Sequence, residues 1–385
     1  MRPADFPRLR QEFERQISLY PPGTGAAIAI YRDQDLVVDL WGGESAPGVR
    51  WHGDTMAVTF SASKGVSAAT LVILAERIGV DFDQPLARYW SAFGAASKEA
   101  LTVAEVLSHR AGLPYWEDYR GVVTAESPVS TWLREDDIAA SLAAAATIPG
   151  TRGRFVYHSL TLGWLIHGLV RAITGVSLSE YFDSSLASPY GLDFYLGVSP
   201  EQSRRVATLI ADPPLTPDPD DPDVEHTAKA LLPSSNGLDY LHNLDLINSD
   251  AFHTVPQGAC NGIGTARGLA GVYAALAHLS PENALMTRFM EPLVAIVGPG
   301  PRLHQGLGFQ VGMPTPWNEA DTAFGHTGAG GGIGFYDPKT KLAFALITNH
   351  MNFGEDERLD RLRAAMAGDL AATRHFAAES VSASQ

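Results

Sequence analysis

The sequence predicts an α/β protein whose sheet is assembled from both ends of the chain. Two candidate strands, residues 25–31 and 36–43, lie near the N-terminus and are joined by a polar Arg-Asp-Gln-Asp turn. Two more, residues 332–337 and 342–348, lie near the C-terminus around an Asp-Pro-Lys-Thr turn. Most of the chain between these two pairs has helical patterns, so the strands have to meet across the helical region.

The first predicted element is an amphipathic helix at the N-terminus. Phe6, Leu9, Phe13 and Ile17 fall on one helical face, which indicates a helix packed on the body of the protein. Charged residues interrupt this segment, so it has no apolar core of the kind a signal peptide needs. No apolar stretch of the chain approaches 18 residues, and we expect no transmembrane helix.

The central region is predicted to be mainly helical. Thr102 and Glu105 have the spacing of a capping box, which marks the start of one of these helices. The predicted helices cover residues 65–80, 102–108, 137–146, 160–174 and 265–279, and a further helix near the C-terminus covers 355–372.

The longest irregular region is predicted at residues 211–258. It begins with a segment rich in Pro and Asp, which we interpret as a solvated loop and not as a calcium site, because prolines stand where an EF-hand needs other residues. Long loops in compact proteins are often functional, so this one is a candidate wall of a pocket. The aromatic residues that would line the pocket, or alternatively pack a domain seam, are Tyr115, Trp116, Tyr240 and Phe252.

The composition argues against some classes of binding partner. The chain has 385 residues, is 45% hydrophobic and has a formal net charge of −15, so it can bury a large core but is unsuited to binding nucleic acid or anionic membranes. Its single cysteine, Cys260, excludes an intrachain disulfide. No HExxH or Cys/His zinc spacing occurs, so we expect neither a metal nor another cofactor.

The first candidate catalytic motif is Ser61-Ala62-Ser63-Lys64. Residues three apart share one face of a helix, and Ser61 stands near the start of the helix predicted over 65–80, where free N–H groups favour negative charge. A serine hydroxyl is a poor nucleophile until a base takes its proton, and a buried lysine with a lowered pKa is such a base. The alternative is an N-cap serine with an exposed lysine.

The second motif is Tyr157-His158-Ser159, at the junction of a loop with the helix predicted over 160–174. Tyr157 is a candidate second proton carrier, although a phenol would need nearby cations such as Lys64 to act as a base at neutral pH. The alternative is a half-buried core tyrosine. We expect His109, His158 and His167 to be structural.

The third motif is His326-Thr327-Gly328-Ala329, at the head of a glycine run before a predicted strand. Glycines let a ligand lie along a strand edge with backbone N–H groups facing it, which is what an oxyanion hole needs. A flexible glycine loop is the alternative. Dinucleotide binding is excluded, because GxGxxG spacing is missing here and a strand follows instead of a helix.

In this order, Ser-x-x-Lys, Tyr and [Lys/His]-Thr-Gly resemble the motifs of serine hydrolases of the class C β-lactamase and penicillin-binding-protein superfamily. The chain is most similar to the family VIII carboxylesterases, and further matching segments cover residues 101–114, 162–178 and 261–276. The resemblance implies a mostly antiparallel sheet flanked by helices, with an inserted mainly helical domain and the site in the groove between them.

The resemblance also implies a division of the chain and a role for each motif residue. Residues 1–56 with 300–385 would form the sheet subdomain, and 57–299 the helical subdomain, of one catalytic unit spanning 1–385. Ser61 would be the acylated nucleophile, Lys64 and Tyr157 would share the proton transfers, and the N–H groups of Ser61 and Ala329 would form the oxyanion hole. The residues expected to contact substrate are Ser159, His326, Thr327, Gly328, Tyr115 and Trp116.

Two departures from the β-lactamase pattern bear on the substrate. Ser159 stands where that family has an asparagine that positions an amide, and His326 replaces a lysine that anchors a carboxylate. A histidine is mostly neutral at pH 7 unless perturbed, so the exchange favours uncharged esters over penicillins. No GxSxG occurs, which removes support for an α/β-hydrolase.

These observations predict a cytoplasmic serine carboxylesterase that hydrolyses small-molecule esters with short to medium acyl chains, without a cofactor. We expect a cytoplasmic protein because the N-terminal segment lacks a signal-peptide pattern, whereas most β-lactamases act outside the cytoplasm. Three alternatives stay open: a β-lactamase or D-amino-acid peptidase, a biosynthetic acyltransferase that uses the same acyl-enzyme, and a non-catalytic binding protein on this scaffold.

Overall fold

The strands of the protein come from both ends of the chain and from its middle. The computed structural model describes residues 6–115, 128–212, 243–279, 283–296, 303–315, 318–352 and 357–382. In chain order the strands are β1 (Gly25–Arg32), β2 (Asp35–Ala46), β3 (Val49–Arg50), β4 (Ala57–Val58), β5 (Phe194–Leu196), β6 (Ile210–Asp212), β7 (Gly262–Gly264), β8 (Val294–Ile296), β9 (Leu303–Gln305), β10 (Gln310–Thr315), β11 (Asn318–Thr327), β12 (Ile333–Asp337), β13 (Leu342–Thr348) and β14 (His350–Asn352).

The helices lie mostly in the middle of the chain, with one at each end. They are α1 (Pro7–Ile17), α2 (Ala62–Ile78), α3 (Val103–Leu107), α4 (Pro128–Trp132), α5 (Glu135–Ala144), α6 (Thr161–Thr174), α7 (Leu178–Phe182), α8 (Ser188–Tyr190), α9 (Pro200–Ser203), α10 (Leu244–Ile247), α11 (Asp250–His253), α12 (Ala266–Ala274), α13 (Ala284–Phe289) and α14 (Arg358–Ser382). Short 3-10 segments occur at Leu86–Arg88, Ser91–Gly94, Ala275–His278 and Ala329–Gly331, and a π-helical segment at Asp183–Ala187 joins α7 to α8.

The main sheet is antiparallel and joins the two ends of the chain. In the residues described, its order is β3-β2-β1-β13-β12-β11-β10-β9-β8. At the centre, Ala29 of β1 is opposite Ala345 of β13, more than 300 residues along the chain. The predicted α/β class, and the mostly antiparallel sheet that the resemblance implies, are therefore confirmed. Among the residues that the structure describes, the other sheets are a small β4-β7-β5 sheet and a parallel β6-β14 pair.

The two faces of this sheet carry two separate apolar clusters, because side chains alternate along each strand. Ile28 and Ile30 of β1 belong to the cluster that includes Leu9 of α1 and residues of α14. Ala27 and Ala29 face the other way, into the larger cluster that includes α2 and α12. The predicted N-terminal helix is confirmed, with its apolar face against the sheet.

Helix α2 carries the first motif into the centre of the protein. It is mostly apolar and is buried from Ala62 to Ala75, as expected for a helix surrounded by other elements. It ends at Gly79, which adopts the left-handed conformation with φ +70° that favours glycine. The helix starts three residues earlier than the predicted 65–80, so that Lys64 lies in its first turn.

The other predicted elements agree with the structure in part. The capping box of Thr102 and Glu105 is confirmed at the start of α3. The region 211–258 is less irregular than predicted, since β6 ends within it and α10 and α11 lie near its end; residues 213–242 lie outside the described ranges. The division into two subdomains stays a prediction.

One further observation concerns the length of the apolar helices. Within the ranges that the structure covers, no single helix has both the length and the hydropathy that crossing a membrane needs. Residues Thr161–Thr174 and Leu178–Tyr190 pass the same test only as a pair bent by 70°.

Candidate active site

The three motifs, distant in sequence, meet at the N-terminus of α2. The Lys64 Nζ lies 3.1 Å from the Ser61 Oγ and 4.8 Å from the centroid of the Tyr157 ring. The rings of Tyr157 and His326 are 6.5 Å apart between centroids. The structure therefore brings Ser61, Lys64, Tyr157 and the third motif to one place, as a shared site requires.

The turn before α2 holds Ser61 at the start of the helix. Phe60 has a φ of +45°, an unusual value for a residue with a side chain, which costs about 1–3 kcal/mol and is found most often at functional sites. The Ser63 hydroxyl holds this turn in place, since it donates to the Phe60 carbonyl at 2.5 Å and accepts from the Gly262 N–H at 2.7 Å. Ser61 is the N-cap residue of α2 and is half-buried.

Lys64 is fully buried, and its Nζ has three oxygen partners. Its Nζ donates to the carbonyl oxygens of Ser159 at 2.7 Å and Ala259 at 2.8 Å. The third hydrogen bond of Nζ is to the Ser61 Oγ, so as an ammonium Lys64 donates to all three oxygens. After losing one proton, the amine keeps two N–H donors for the carbonyls and gains a lone pair that can accept from the Ser61 hydroxyl. Burial lowers the pKa of Lys64 to about 7, which makes the neutral form accessible under ordinary conditions.

Tyr157 is held as a protonated phenol. Burial raises the pKa of its hydroxyl well above the usual value, and a hydrogen bond with Ser61 opposes that rise without cancelling it. A tyrosine that begins the reaction as a base would need the opposite shift. The arrangement instead provides a proton donor next to the Ser61 Oγ.

Two buried histidines fix the loop that carries Tyr157. The His158 Nδ1–H donates to the Val156 carbonyl at 2.6 Å, and its Nε2 accepts from the Leu113 N–H at 3.1 Å. The His158 backbone N–H donates to the His109 Nδ1 at 2.9 Å, and the His109 ring lies 4.7 Å from the Tyr157 ring between centroids. Burial lowers the pKa of both histidines, to about 4 for His158, so they are neutral supports.

His326 of the third motif is a neutral imidazole. Burial, assisted by the nearby Lys64, lowers the pKa of His326 to about 3, and its Nδ1–H donates to the Thr327 carbonyl at 2.7 Å. Thr327 is held in turn by Gln310, whose Oε1 accepts from the Thr327 N–H and Oγ1, both at 3.1 Å. This part of the site therefore carries no fixed positive charge.

Gly328 lets the third motif lie directly against the first. A Cβ at this position would come within 2.2 Å of the Thr59 carbonyl oxygen and 3.3 Å of the Ala62 nitrogen. The close approach puts Ala329, the first residue of a 3-10 turn, beside the N-terminus of α2. Ser61, Tyr157, Thr327, Gly328 and Ala329 all keep partial exposure, whereas Lys64 and His326 are buried behind them.

The remaining predicted substrate residues divide into three cases. Ser159 is buried and contributes its carbonyl to Lys64. Tyr115 is also buried, while Trp116 and Tyr240 lie outside the described ranges. Phe252 packs against Trp132 in the core, with ring centroids 5.9 Å apart, which is the packing alternative for that side chain.

Sequence reasoning missed three contributors to this site. The Ala259 carbonyl lies far from all three motifs in sequence, and Gln310 lies 17 residues before Thr327. Neither a backbone carbonyl nor a single glutamine has a sequence signature. Ser63 is inside the first motif, and its small polar side chain at a buried helix start is the one available signal.

A serine hydroxyl beside a buried lysine, a phenol and a helix N-terminus defines the protein as a serine hydrolase. The chain belongs to the Beta-lactamase family, whose model matches residues 22–369.

Individual relatives agree with this assignment. The chain is 33% identical over 346 residues to the Esterase/beta-lactamase LipL of Mycobacterium tuberculosis, covering 85% of this chain and 77% of that protein. It superposes on the crystal structure of a family VIII carboxylesterase with a TM-score of 0.81 and 26% identity, covering 95% and 97% of the two chains. A penicillin-binding protein homologue from Caulobacter crescentus gives a TM-score of 0.80 and 27% identity, covering 96% and 98%. The resemblance predicted from the motifs is confirmed.

Proposed function

We propose that the protein is a serine carboxylesterase that hydrolyses small, uncharged esters through an acyl-enzyme on Ser61. The observation that carries the proposal is the buried Lys64, whose Nζ lies 3.1 Å from the Ser61 Oγ and hydrogen-bonds two carbonyls; in its neutral form the amine keeps both carbonyl bonds and accepts from the Ser61 hydroxyl. A helix N-terminus at the nucleophile adds to this arrangement, because it favours the negative charge that develops during acyl transfer.

In the acylation step, the Ser61 Oγ attacks the ester carbonyl carbon while its proton passes to the Lys64 Nζ. The carbonyl oxygen becomes an oxyanion that accepts hydrogen bonds from the N–H groups of Ser61 and Ala329. When the bond to the alcohol breaks, the Tyr157 phenol gives its proton to the leaving oxygen. The ammonium of Lys64 then returns a proton to the phenolate, which restores both groups.

Deacylation repeats these transfers with water as the nucleophile. Water gives a proton to Lys64 as it attacks the acyl carbon, and Tyr157 protonates the Ser61 Oγ as the carboxylic acid leaves. The net reaction consumes one ester and one water and produces one acid and one alcohol. The hydrogen bond between Tyr157 and Ser61 is the contact that this route uses.

The charge of the site supports an uncharged substrate. With the pKa of His326 lowered to about 3, the third motif offers no cation to a carboxylate such as that of a penicillin. Ser159, which stands in place of an amide side chain, is buried and uses its carbonyl for Lys64. The names of two relatives, an esterase/beta-lactamase and a family VIII carboxylesterase, are consistent with ester hydrolysis.

The test compares kcat/KM for a short p-nitrophenyl ester and a chromogenic cephalosporin, with the Ser61→Ala protein as the blank. Fast ester and slow lactam turnover that both vanish in Ser61→Ala support the proposal. Ester turnover that survives the substitution contradicts the assigned nucleophile.

Lactam hydrolysis is a second candidate, favoured by the beta-lactamase half of the name of the M. tuberculosis relative. It would use the same Ser61, Lys64 and Tyr157. Cephalosporin turnover faster than ester turnover would establish it and would show that a cation in the third motif is dispensable here.

A further inference from the structure

Arg358, the first residue of α14, reaches the glycine turn of the third motif. Its Nη2 donates to the Gly330 carbonyl at 3.0 Å. Gly330 has a φ of +77°, and a Cβ there would come within 2.7 Å of the Met351 Cγ, so the turn lies tightly against β14. The back of the glycine turn is therefore held by β14 and α14, while its front lies against the start of α2.

A chain of hydrogen bonds leads from this arginine to the oxyanion hole. The Gly330 carbonyl shares a peptide group with the Gly331 N–H, which donates to the Gly328 carbonyl at 3.3 Å. That carbonyl shares the next peptide group with the Ala329 N–H. Hydrogen bonds in series polarise one another, so a positive charge at the far end makes each N–H along the chain a stronger donor.

The guanidinium of Arg358 is fixed by several neighbours. Its Nη1 donates to the carbonyl oxygen and to the Nδ1 of His350, both at 3.3 Å, and to the Tyr20 hydroxyl at 3.4 Å. The group lies 5.5 Å from the centroid of the Tyr20 ring, and the Gln16 side chain donates to the Arg358 carbonyl at 3.0 Å. A planar group with this many contacts keeps its orientation toward Gly330.

We infer that Arg358 is a positioning residue for the oxyanion hole: through the peptide groups after Gly330 and Gly328 it orients and polarises the Ala329 N–H. The inference rests on the proposed acyl-transfer function, because it assigns the oxyanion to that N–H. Arg358 itself touches no reacting atom. Its effect belongs to the transition state, where the oxyanion develops, and falls on kcat more than on KM.

The experiment compares Arg358→Ala with Arg361→Ala. Arg361 is one turn further along α14, lines the same surface cavity and pairs with Glu357 at 2.5 Å, so it controls for the loss of a helix-surface arginine. Removing an oxyanion donor outright costs about 10²–10³-fold in kcat, and weakening one is expected to cost about tenfold. We expect that loss in Arg358→Ala alone, with KM little changed and partial recovery in millimolar guanidinium chloride.

A second readout separates this inference from the proposed substrate class. The rate at which a fluorophosphonate labels Ser61 depends on the same oxyanion hole and requires no ester substrate, so Arg358→Ala should slow it in parallel with kcat. Slower labelling sustains the inference even where ester turnover is absent. Arg358→Lys, which keeps the charge, should lose less and serves if the alanine variant does not fold. Equal losses in the two arginine variants, or a lower Tm with unchanged kcat and labelling, would overturn it.

Discussion

Lys64 and Lys98 are both fully buried, and both donate from their Nζ to two backbone carbonyls. For Lys98 these belong to Ala95 and Ala145, so the side chain ties its own loop to the end of α5. The remaining neighbour differs: Lys64 faces the Ser61 hydroxyl, whereas the Lys98 Nζ lies 5.3 Å from the centroid of the Phe93 ring.

Burial lowers the pKa of both lysines, although their neighbours differ. For Lys64 the pKa falls to about 7, and in each case a neighbour opposes the effect of burial, Cys260 at Lys64 and Glu99 at Lys98. A buried lysine with two carbonyl partners is therefore not by itself a catalytic base. The two sites differ in the third neighbour of the Nζ, which is the Ser61 hydroxyl at Lys64 and the Phe93 ring at Lys98, and we expect only Lys64 to act as a base.

The largest expected effect is a loss of kcat when Lys64 is replaced by methionine, which keeps the apolar stem and removes the amine. The same replacement of Lys98 is the comparison. Lys64→Met should lower kcat for ester hydrolysis by about 10³-fold or more, because the base for Ser61 is lost. Lys98→Met, the matched control, should keep kcat close to that of the wild type. Comparable losses in two variants that both fold, as judged by circular dichroism, would remove the distinction between the two sites.

The pH dependence of the wild type gives an intermediate effect. The base form of Lys64 is the neutral amine, so kcat/KM should fall as pH drops through about 7 and level off above it. Lys98→Met should reproduce the wild-type profile, since Lys98 takes no part in the reaction. The measurement is kcat/KM for a neutral ester from pH 5 to 9, and a flat profile would contradict a titrating lysine base.

The smallest expected effect concerns the pH dependence of the free energy of unfolding, to which both buried lysines contribute. The unfolded chain keeps Lys64 protonated up to its usual pKa of 10.5, whereas the folded protein releases that proton above about 7. Because the unfolded state then binds more protons, the free energy of unfolding rises with pH in that window.

Relative to Lys64→Met, the wild type should gain about 2 kcal/mol of stability between pH 7 and 9, as measured by urea unfolding. The gain relative to Lys98→Met should have the same sign, because burial also lowers the pKa of Lys98. A pH-independent difference between wild type and Lys64→Met would show that Lys64 stays protonated in the folded protein.

Local patterns predicted much of the site. The spacing of Ser61 and Lys64 at a helix start, the capping box of Thr102 and the strand after Gly328 are each properties of a few neighbouring residues, and the structure has all of them. The fold class followed from the same kind of signal, because the strand patterns are concentrated at the two ends of the chain.

Long-range hydrogen bonds were not predictable. The acceptors of Lys64 are backbone carbonyls, which every residue carries, so the roles of Ser159 and Ala259 depend on the packing of distant segments. For the same reason, sequence reasoning gave Ser159 a side-chain role. The raised pKa of Tyr157 follows from burial, which is a property of the assembled site and not of the motif.

The pairing of β1 with β13 also has a consequence for biosynthesis. Ser61 leaves the ribosome long before Ala329, and at about 5–20 residues per second the delay is on the order of tens of seconds. During that time the edge of β1 that pairs with β13 is uncovered, and Ser61 has no neighbouring glycine turn. Under the proposed mechanism, a nascent chain lacks the Ala329 half of its oxyanion hole until its last strands emerge.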